Sequence, residues 1–401
     1  MEITNDILYV GVNDHLVDLF EGQYDVPNGM AYNSYLIMDE KITLVDGVKS
    51  CMSQEMTERV KSVVDFSQIS YVVVNHVEMD HSGNIPEIMK LAPQAVIITD
   101  NAGKMALEAH FDTAGWNYKL VTTGESVSIG KRSLTFMTTP MLHWPDSMMT
   151  YVKEEKLLLS NDGFGQHLAS DGLFVNEQPL DLVVNEAKSY YANILFPYGA
   201  QAEKALNTAG TLGLDIEMIA PSHGCIWSGK DEVNTILGLY AKWASGKNEG
   251  KAVVVYDSMW GATAKMAEAL TTVTRALSSR TTNPILDGIP VTKHCLAVEN
   301  VSEVMVDFLD AAYVCIGNPT LNNQLFPRVA GFVTYMKGLA PRGKKALAFG
   351  SYGWKPGVVK QIQQVYEELG WQTVAPFEEK YTPKAEVLEQ LKERVRELIK
   401  L

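Results

Sequence analysis

No apolar run in these 401 residues approaches the roughly 18–20 residues that a bilayer-spanning helix needs. The opening segment MEITNDILYVGVNDHL has no basic stretch followed by an apolar core, so it does not read as a secretory signal. Cysteine is scarce and scattered: Cys51, Cys225, Cys295 and Cys315 form no Cys-x-x-Cys pair. That spacing argues against zinc ribbons, iron–sulfur clusters and a rubredoxin-type iron site. A cytoplasmic protein without disulfides is the expectation. Positive charge is also short, 34 Lys+Arg against 48 Asp+Glu for a net −14, which argues against a nucleic-acid partner. Internal repeats, heptads and low-complexity segments are missing as well.

What is present is ordinary globular composition, 46% hydrophobic and 20% charged, in a chain long enough for two domains. The charge is divided unevenly. Residues 1–249 carry a balance of −17 and residues 250–401 a balance of +3. The step falls in ASGKNEGK (244–251), a stretch of linker composition, and predicts a domain boundary at 249/250. The first part shows β-type runs at ILYVGV (7–12), YNSYLIM (32–38), ITLVDG (42–47), YVVVNH (71–76), AVIITD (95–100), SLTFMTTP (133–140) and KLLLSND (156–162), with helical spacing near 101–110, 202–212 and 233–244. That mixture predicts helices outside a β core. In the second part AVVVYDS (252–258), AAYVCIGNPT (311–320) and KALAFGSYGW (345–354) are buried-strand runs that each end in a turn-rich loop. They predict a doubly wound parallel sheet, with 384–400 as an amphipathic helix packed on it.

The densest chemistry lies in NHVEMDHSGN (75–84), directly after the apolar YVVV. On an extended backbone alternate residues share a face, so His76, Glu78 and Asp80 project together and His81 begins the next turn. Three further residues occur in similar settings: His143 after SLTFMTTP, Asp162 after KLLLS and His223 after MIA. Singly, each has a plain reading as a turn or packing residue. Together they gather four of the eight histidines and three carboxylates at strand ends, a metal-binding set. His15, His110, His167 and His294 lack that context and read as structural or surface residues.

A second set lies in the second part. In SMWGAT (258–263), between a strand and a helix, Ser258 and Thr263 offer hydroxyls and Gly261 a tight turn, while the helix N-terminus offers N–H groups. Without a lysine or Mg²⁺ ligand, the loop suits a terminal monophosphate. GNPTLNNQLFP (317–327) and GSYGWKPG (350–357) follow neighbouring strands, and the latter carries Tyr352 and Trp354, flat rings suited to a tricyclic ligand. Three such loops in this order point to FMN.

The first set resembles the metallo-β-lactamase superfamily, whose hydrolases usually show His-x-His-x-Asp-His, whereas Glu78 stands at the third position here. Three carboxylates beside four imidazoles favour iron over zinc, as in carboxylate-bridged di-iron sites that handle dioxygen. The motifs HVEMDH, MLHWPDSM, SNDGFGQH, PSHG, YDSMW and GNPTLNN together resemble the flavodiiron proteins (A-type flavoproteins; the rubredoxin:oxygen oxidoreductase and nitric oxide reductase family) over essentially the whole chain. The resemblance implies a metallo-β-lactamase-like αββα sandwich followed by a flavodoxin-like domain. It implies His76, Glu78 and His143 on the iron nearer the flavin, Asp80, His81 and His223 on the other, and Asp162 bridging. The coordination of His81 varies within the family. FMN would rest on Ser258, Met259, Trp260, Gly261, Ala262 and Thr263, on Pro319, Thr320, Leu321, Asn322 and Asn323, and on Ser351, Tyr352, Gly353 and Trp354. Gly261-Ala262 departs from the family pattern, where polar residues are more usual.

A ferrous pair and a reduced flavin hold two electrons each, enough to take dioxygen to two waters; two electrons suffice to couple two nitric oxides to nitrous oxide and water. The expected activity is therefore reduction of dioxygen, nitric oxide or both. Electrons would come from a separate rubredoxin or a reduced deazaflavin, since no rubredoxin is fused to this sequence. A head-to-tail homodimer, or a dimer of dimers, would bring each flavin beside a partner's irons. Two other readings stand beside this one: a dinuclear zinc hydrolase fused to a flavodoxin, and an FMN electron carrier whose metal only supports the fold. Trp144, next to His143, is expected to wall the pocket.

Overall fold

The computed structural model describes residues 1–271, 283–285 and 289–401. The chain divides into two units, Met1–Gly22 with Val26–Tyr191 and Tyr198–Ala244, and Gln23–Asp25 with Ala192–Pro197 and Ser245–Leu401. The sequence cut at 249/250 is simpler than this division, which starts the second unit's long segment at Ser245 and gives that unit two short earlier segments. No helix among the described residues is long and apolar enough to cross a membrane.

In the first unit, the short apolar runs build two sheets. One has seven strands, ordered Glu2–Thr4, Ile7–Tyr9, Tyr35–Ile37, Ile42–Val45, Ile69–Val73, Val96–Thr99 and Asn117–Leu120, and the last four run parallel. The other has six, ordered Ser126–Ser128, Ser133–Thr138, Met148–Val152, Leu157–Asn161, Met218–Pro221 and Trp227–Ser228. Alternate residues of both sheets meet in one core: Tyr35, Val45, Val73 and Ile98 from the first, and Leu134, Phe136, Leu157 and Leu159 from the second. Two stacked sheets with helices interspersed between their strands fit the αββα expectation. The runs 7–12 and 32–38 each break into two strands, because the chain turns from one pairing partner to another: Ile7–Tyr9 pairs with Tyr35–Ile37, and Val12–Asp14 with Met30–Tyr32. The helix Leu180–Tyr190 is a further element that the sequence reading left out.

In the second unit, parallel strands stand in the order Ile289–Cys295, Glu249–Tyr256, Ala311–Pro319 and Lys345–Tyr352, and both Gln372–Thr373 and Phe377–Lys380 pair with the last. Glu249–Tyr256 is buried on both faces. Val253 and Val255 join Phe308, Phe332 and Met336, whereas Ala252 and Val254 join Leu270, Leu391 and Val395. This explains why a parallel strand reads as a continuous apolar run. The helix Ala385–Lys400 packs on the sheet through Leu391, Val395 and Leu398. From Glu249–Tyr256 the chain moves to one neighbour, then crosses back to the other, so the order reverses between Glu249–Tyr256 and Ala311–Pro319. Open α/β sheets bind ligands at such a reversal.

His294, on the strand Ile289–Cys295, is held between two acids: Nδ1 lies 2.5 Å from Glu299 and Nε2 2.9 Å from Asp307. Burial lowers its proton affinity, but the two carboxylates outweigh burial and raise the pKa to about 9. A raised folded-state pKa contributes stability that is complete below the unfolded value near 6.5 and is lost as pH rises through 9. We therefore expect unfolding of the second unit to become easier between those pH values, by on the order of 1–2 kcal/mol after discounting the partly exposed acids. Denaturation of the full chain at several pH values checks this, and His294→Gln should flatten the dependence.

Candidate functional site

The strand Ile69–Val73 runs parallel between Ile42–Val45 and Val96–Thr99, so its C-terminal end is fixed from both sides. Asn75 and His76 beyond it are fully buried. The strand does not continue through 80, as the alternation argument required. Instead Met79–Ser82 forms a single helical turn, with the N–H groups of His81 and Ser82 donating to the Glu78 carbonyl at 3.0 and 2.9 Å. A loop followed by one turn is what gathers His76, Glu78, Asp80 and His81. The turn lies tight against Gly47, whose N–H donates to the His81 carbonyl at 2.7 Å; a Cβ at Gly47 would stand 2.2 Å from Asn84 Oδ1. Asp162 follows the strand Leu157–Asn161 directly, and His223 lies just beyond its parallel neighbour Met218–Pro221. His143 departs from the strand-end expectation. It sits within the loop 139–147 between Ser133–Thr138 and Met148–Val152.

All seven predicted ligands come together, in two groups: His76, Glu78, His143 and Asp162, and Asp80, His81 and His223. Asp162 faces both. Its Oδ2 lies 3.5 Å from His76 Nε2 and 3.3 Å from His143 Nε2, while its Oδ1 lies 2.9 Å from His81 Nε2 and 3.3 Å from His223 Nε2. Glu78 Oε2 completes the first group at 3.3 and 3.2 Å from His76 and His143. Asp80 completes the second, 3.4 Å from His81 and 3.3 Å from His223. Both oxygens of Asp80 and of Asp162, both ring nitrogens of His81, and His223 Nε2 are buried without an aligned hydrogen bond. Leaving such groups unmade costs about 1–3 kcal/mol each. Lone pairs that converge without bonding one another are the arrangement two cations would satisfy, and imidazole with carboxylate is a donor set suited to iron.

The electrostatics agree. Burial pushes the Asp162 carboxyl up, but His81, His143 and His223 outweigh it and hold it well below the usual range. Asp80 falls to about 2, burial again being overcome, here by His81 and His223. Burial depresses His143 and His223, yet Asp162 together with Glu78 or Asp80 raises them to about 9 and about 10. Each acid is ionised because the imidazoles surround it.

Residues outside the predicted set orient these ligands. Asp146 Oδ2 accepts from His76 Nδ1 at 2.9 Å and from the Val77 N–H at 2.7 Å, which leaves His76 Nε2 facing the centre. The Ala31 carbonyl fixes His223 likewise, 2.7 Å from its Nδ1. Asp46 accepts from the backbone and side chain of Asn75 at 2.7 and 3.0 Å and from Asn161 at 3.3 Å, and Asn161 donates to Ser222 at 3.0 Å. Asn75, Asn161 and Ser222 immediately precede His76, Asp162 and His223. The available sequence signal was a polar residue directly before His76, Asp162 and His223, at the ends of largely apolar runs. Trp144 stands 5.2 Å from the His76 ring and 6.2 Å from that of His143, as a wall of the site. Phe20, Tyr32 and Tyr190 surround His223 at 5.5–5.8 Å between ring centres.

In the second unit the three predicted loops follow the adjacent strands Glu249–Tyr256, Ala311–Pro319 and Lys345–Tyr352. The helix begins at Ala262. Gly261 before it has φ 85° and offers no capping side chain, so the N–H groups of Ala262 and Thr263 are available to a phosphate. Ser258 Oγ accepts from the N–H groups of Gly261 and Ala264 at 3.1 and 3.3 Å, which shapes the turn and leaves its hydrogen to donate. Thr263 is fully buried and bonds Ser351 at 2.8 Å, so it ties two loops together. Asn322 and Asn323, both at positive φ, form a two-residue hairpin turn closed by Leu321 and Gln324. Asn318 Nδ2 and Thr320 Oγ1 are buried without a partner. Trp260 and Trp354 are 88% and 84% exposed, a disposition that covering a flat ring would explain. Met259 is exposed, and Tyr352 and Gly353 half-buried. The loops fit FMN.

Residues 30–224 match the family described as ODP family beta lactamase, and residues 254–394 match Flavodoxin. The nitric oxide reductase of Moorella thermoacetica is 42% identical over 90% of this chain and 88% of its own length. The structure of rubredoxin oxygen:oxidoreductase from Desulfovibrio gigas superposes with a TM-score of 0.94 at 36% identity, covering 100% of this chain and 98% of that one. A flavodiiron protein from Giardia intestinalis gives 0.92 at 32% identity, covering 100% and 95%.

Asp146→Ala should lower metal affinity by about 10–100-fold, the usual cost of losing the carboxylate that orients a metal-binding imidazole. Competition with a chelator, followed by metal analysis, measures it. Binding unchanged from wild type would mean that Asp146 does not set the His76 ring.

Proposed function

The chain belongs to the flavodiiron protein family, and we propose that it is a di-iron flavoprotein that reduces dioxygen to water, nitric oxide to nitrous oxide, or both. The observation that carries this reading is the single carboxylate of Asp162, with one oxygen facing each ligand group. When bound, the two irons and FMN supply the electrons, two from the ferrous pair and two from reduced flavin.

The chain's own residues fix where that chemistry happens. His76, Glu78 and His143 would hold one iron, and Asp80, His81 and His223 the other. Asp162, with one oxygen toward each group, would serve both. His81 is included as a ligand because its Nε2 is 2.9 Å from Asp162 Oδ1, pointing into the centre. Asp146 and the Ala31 carbonyl keep the protons of His76 and His223 on Nδ1, away from the metal. The near-complete burial of the seven side chains excludes bulk water, and only Glu78 and His143 retain 19% and 10% of their side-chain exposure. In the second unit the N–H groups of Ala262 and Thr263 and the Ser258 hydroxyl would hold the FMN phosphate. The loops at 319–323 and 351–354, with Trp260 and Trp354, would hold its ring.

Electrons come from a rubredoxin or a reduced deazaflavin. This chain's four thiols are free, in keeping with a cytoplasmic setting. Two copies pair head to tail, so that each flavin serves the partner's irons. Oxidoreductase relatives over nine-tenths of the chain weigh against both the zinc-hydrolase and the carrier readings.

Purified protein should contain about two irons and one FMN per chain, and anaerobic assays with each gas and each donor identify the substrate. Asp162→Ala should lose turnover and one or both irons while retaining FMN. A variant with near wild-type turnover, or full activity with zinc alone, would refute the di-iron reading. For assembly, Asp80→Ala/His223→Ala can be co-refolded with a variant whose 258–263 loop is blocked by bulky residues. A head-to-tail heterodimer regains up to about half the wild-type activity by symmetry. Verified heterodimers without activity would exclude exchange between chains.

A further inference from the structure

The helix Gly199–Thr211 places Ala202, Ala205, Leu206 and Ala209 along one stripe, at the spacing of a core-facing surface. Opposite lie Met149 and Leu158 of the second sheet, and Leu237 and Tyr240 of the helix Lys230–Ala244. Three of the four stripe residues are alanines, too short to fill the gap. What remains is a cavity of about 20 Å³, above the roughly 10–15 Å³ that one water-sized molecule requires.

Its wall exposes no polar atom. The Tyr240 hydroxyl, the nearest candidate, is engaged by the Phe164 N–H at 2.7 Å. A water molecule inside would lack the two to four partners it needs. An apolar diatomic molecule gives up little hydration on entry and gains dispersion contacts with the lining. The location matters as much as the lining. Leu142, Gly163 and Phe164 form part of the wall, and they are the chain neighbours of His143 and Asp162. Gly163 is kept small by close packing, since a Cβ there would stand 2.6 Å from the Met149 methyl.

We propose that this cavity is a binding site for a single apolar diatomic gas molecule, dioxygen or nitric oxide, from which the di-iron centre is supplied. The assignment of the occupant rests on the reductase reading above; the cavity's affinity for an apolar guest does not. It implies that substrate gas is concentrated beside the metals by partition, without any polar recognition.

Two measurements on the iron- and FMN-loaded protein test it. Xenon, an apolar probe of similar size, should occupy the cavity between Ala205 and Phe164 in crystals pressurised with the gas. Ala205→Leu, which fills the space with a good helix former, should abolish that occupancy. The same variant should raise KM for the reduced gas several-fold with kcat at saturating gas and iron and FMN contents unchanged, the pattern of lost substrate delivery. Should Ala205→Leu fail to fold, Ala209→Leu at the half-buried edge of the stripe serves in its place. Absence of xenon from the cavity overturns the proposal whatever the variants do, as does an unchanged KM for both gases in a folded, xenon-free variant. If the wild type reduces neither gas, the reductase reading fails and the substrate role fails with it, while xenon occupancy still reports whether the cavity takes an apolar guest.

Discussion

Three carboxylates and four imidazoles buried in one place cannot be stable by themselves, and the rest of the first unit is organised around that constraint. Asp162 is its centre. One oxygen serves each ligand group, so the carboxylate must sit midway between them, and its backbone must be held to within a fraction of an ångström. The fold achieves this by placing it at the end of Leu157–Asn161, paired in parallel with the strand that leads to His223. The other four ligands of the 76–81 segment arrive from the opposite sheet. The two sheets are locked face to face by a core that includes Val73 and Leu159, residues within three positions of His76 and Asp162. Apolar burial therefore sets the spacing of the polar centre.

A second tier of polar groups transmits that precision to individual side chains. Asp46 binds Asn75 and Asn161, and Asn161 binds Ser222. Three of the four chain segments that carry the candidate ligands are thus tied together, one position before His76, Asp162 and His223. Burial pushes the Asp46 carboxyl up, and nearby His81 and the two amides act against that rise. A buried network of this kind is favourable only when its members are satisfied together, so these residues act as one unit with the metal ligands.

Most of this was legible in the sequence where chemistry is written locally. The seven candidate ligands, which the fold gathers, stood out because acids and imidazoles rarely follow apolar strands, and the candidate flavin loops because they end three successive buried runs. What sequence could not convey was three-dimensional pairing. Nothing local distinguishes Asp146, which orients His76 from seventy positions away, from an ordinary turn aspartate after a proline. The alternation argument for 76–80 assumed that the strand continued, whereas hydrogen bonds from His81 and Ser82 to the Glu78 carbonyl turn it into a helix. His143 was read as a strand-end residue because the apolar run before it hides where pairing stops: Thr138 is the last residue matched to the neighbouring strand. The alanine stripe at 202–209 reads simply as helix, and its consequence, a void, appears only once the opposite wall is in place.

The two halves of the sequence also solve opposite electrostatic problems. Residues 1–249 carry a balance of −17, which favours cations throughout that part and suits a centre whose occupants are positive. A flavin phosphate is an anion and would be poorly served by such surroundings. Residues 250–401 are close to neutral, at +3, and the loop after Glu249–Tyr256 offers N–H groups and no lysine. Its one buried acid, Asp257, is paired with Arg328 at 3.2 Å. That pairing removes the negative charge nearest the phosphate loop without placing a free cation in it. Neutral donors and a helix terminus hold a phosphate at modest strength, which leaves the ring contacts to determine how tightly the flavin is retained. The charge step at 244–251 is therefore more than a boundary marker: it separates a part of the chain built to hold metal cations from one built to hold an anion.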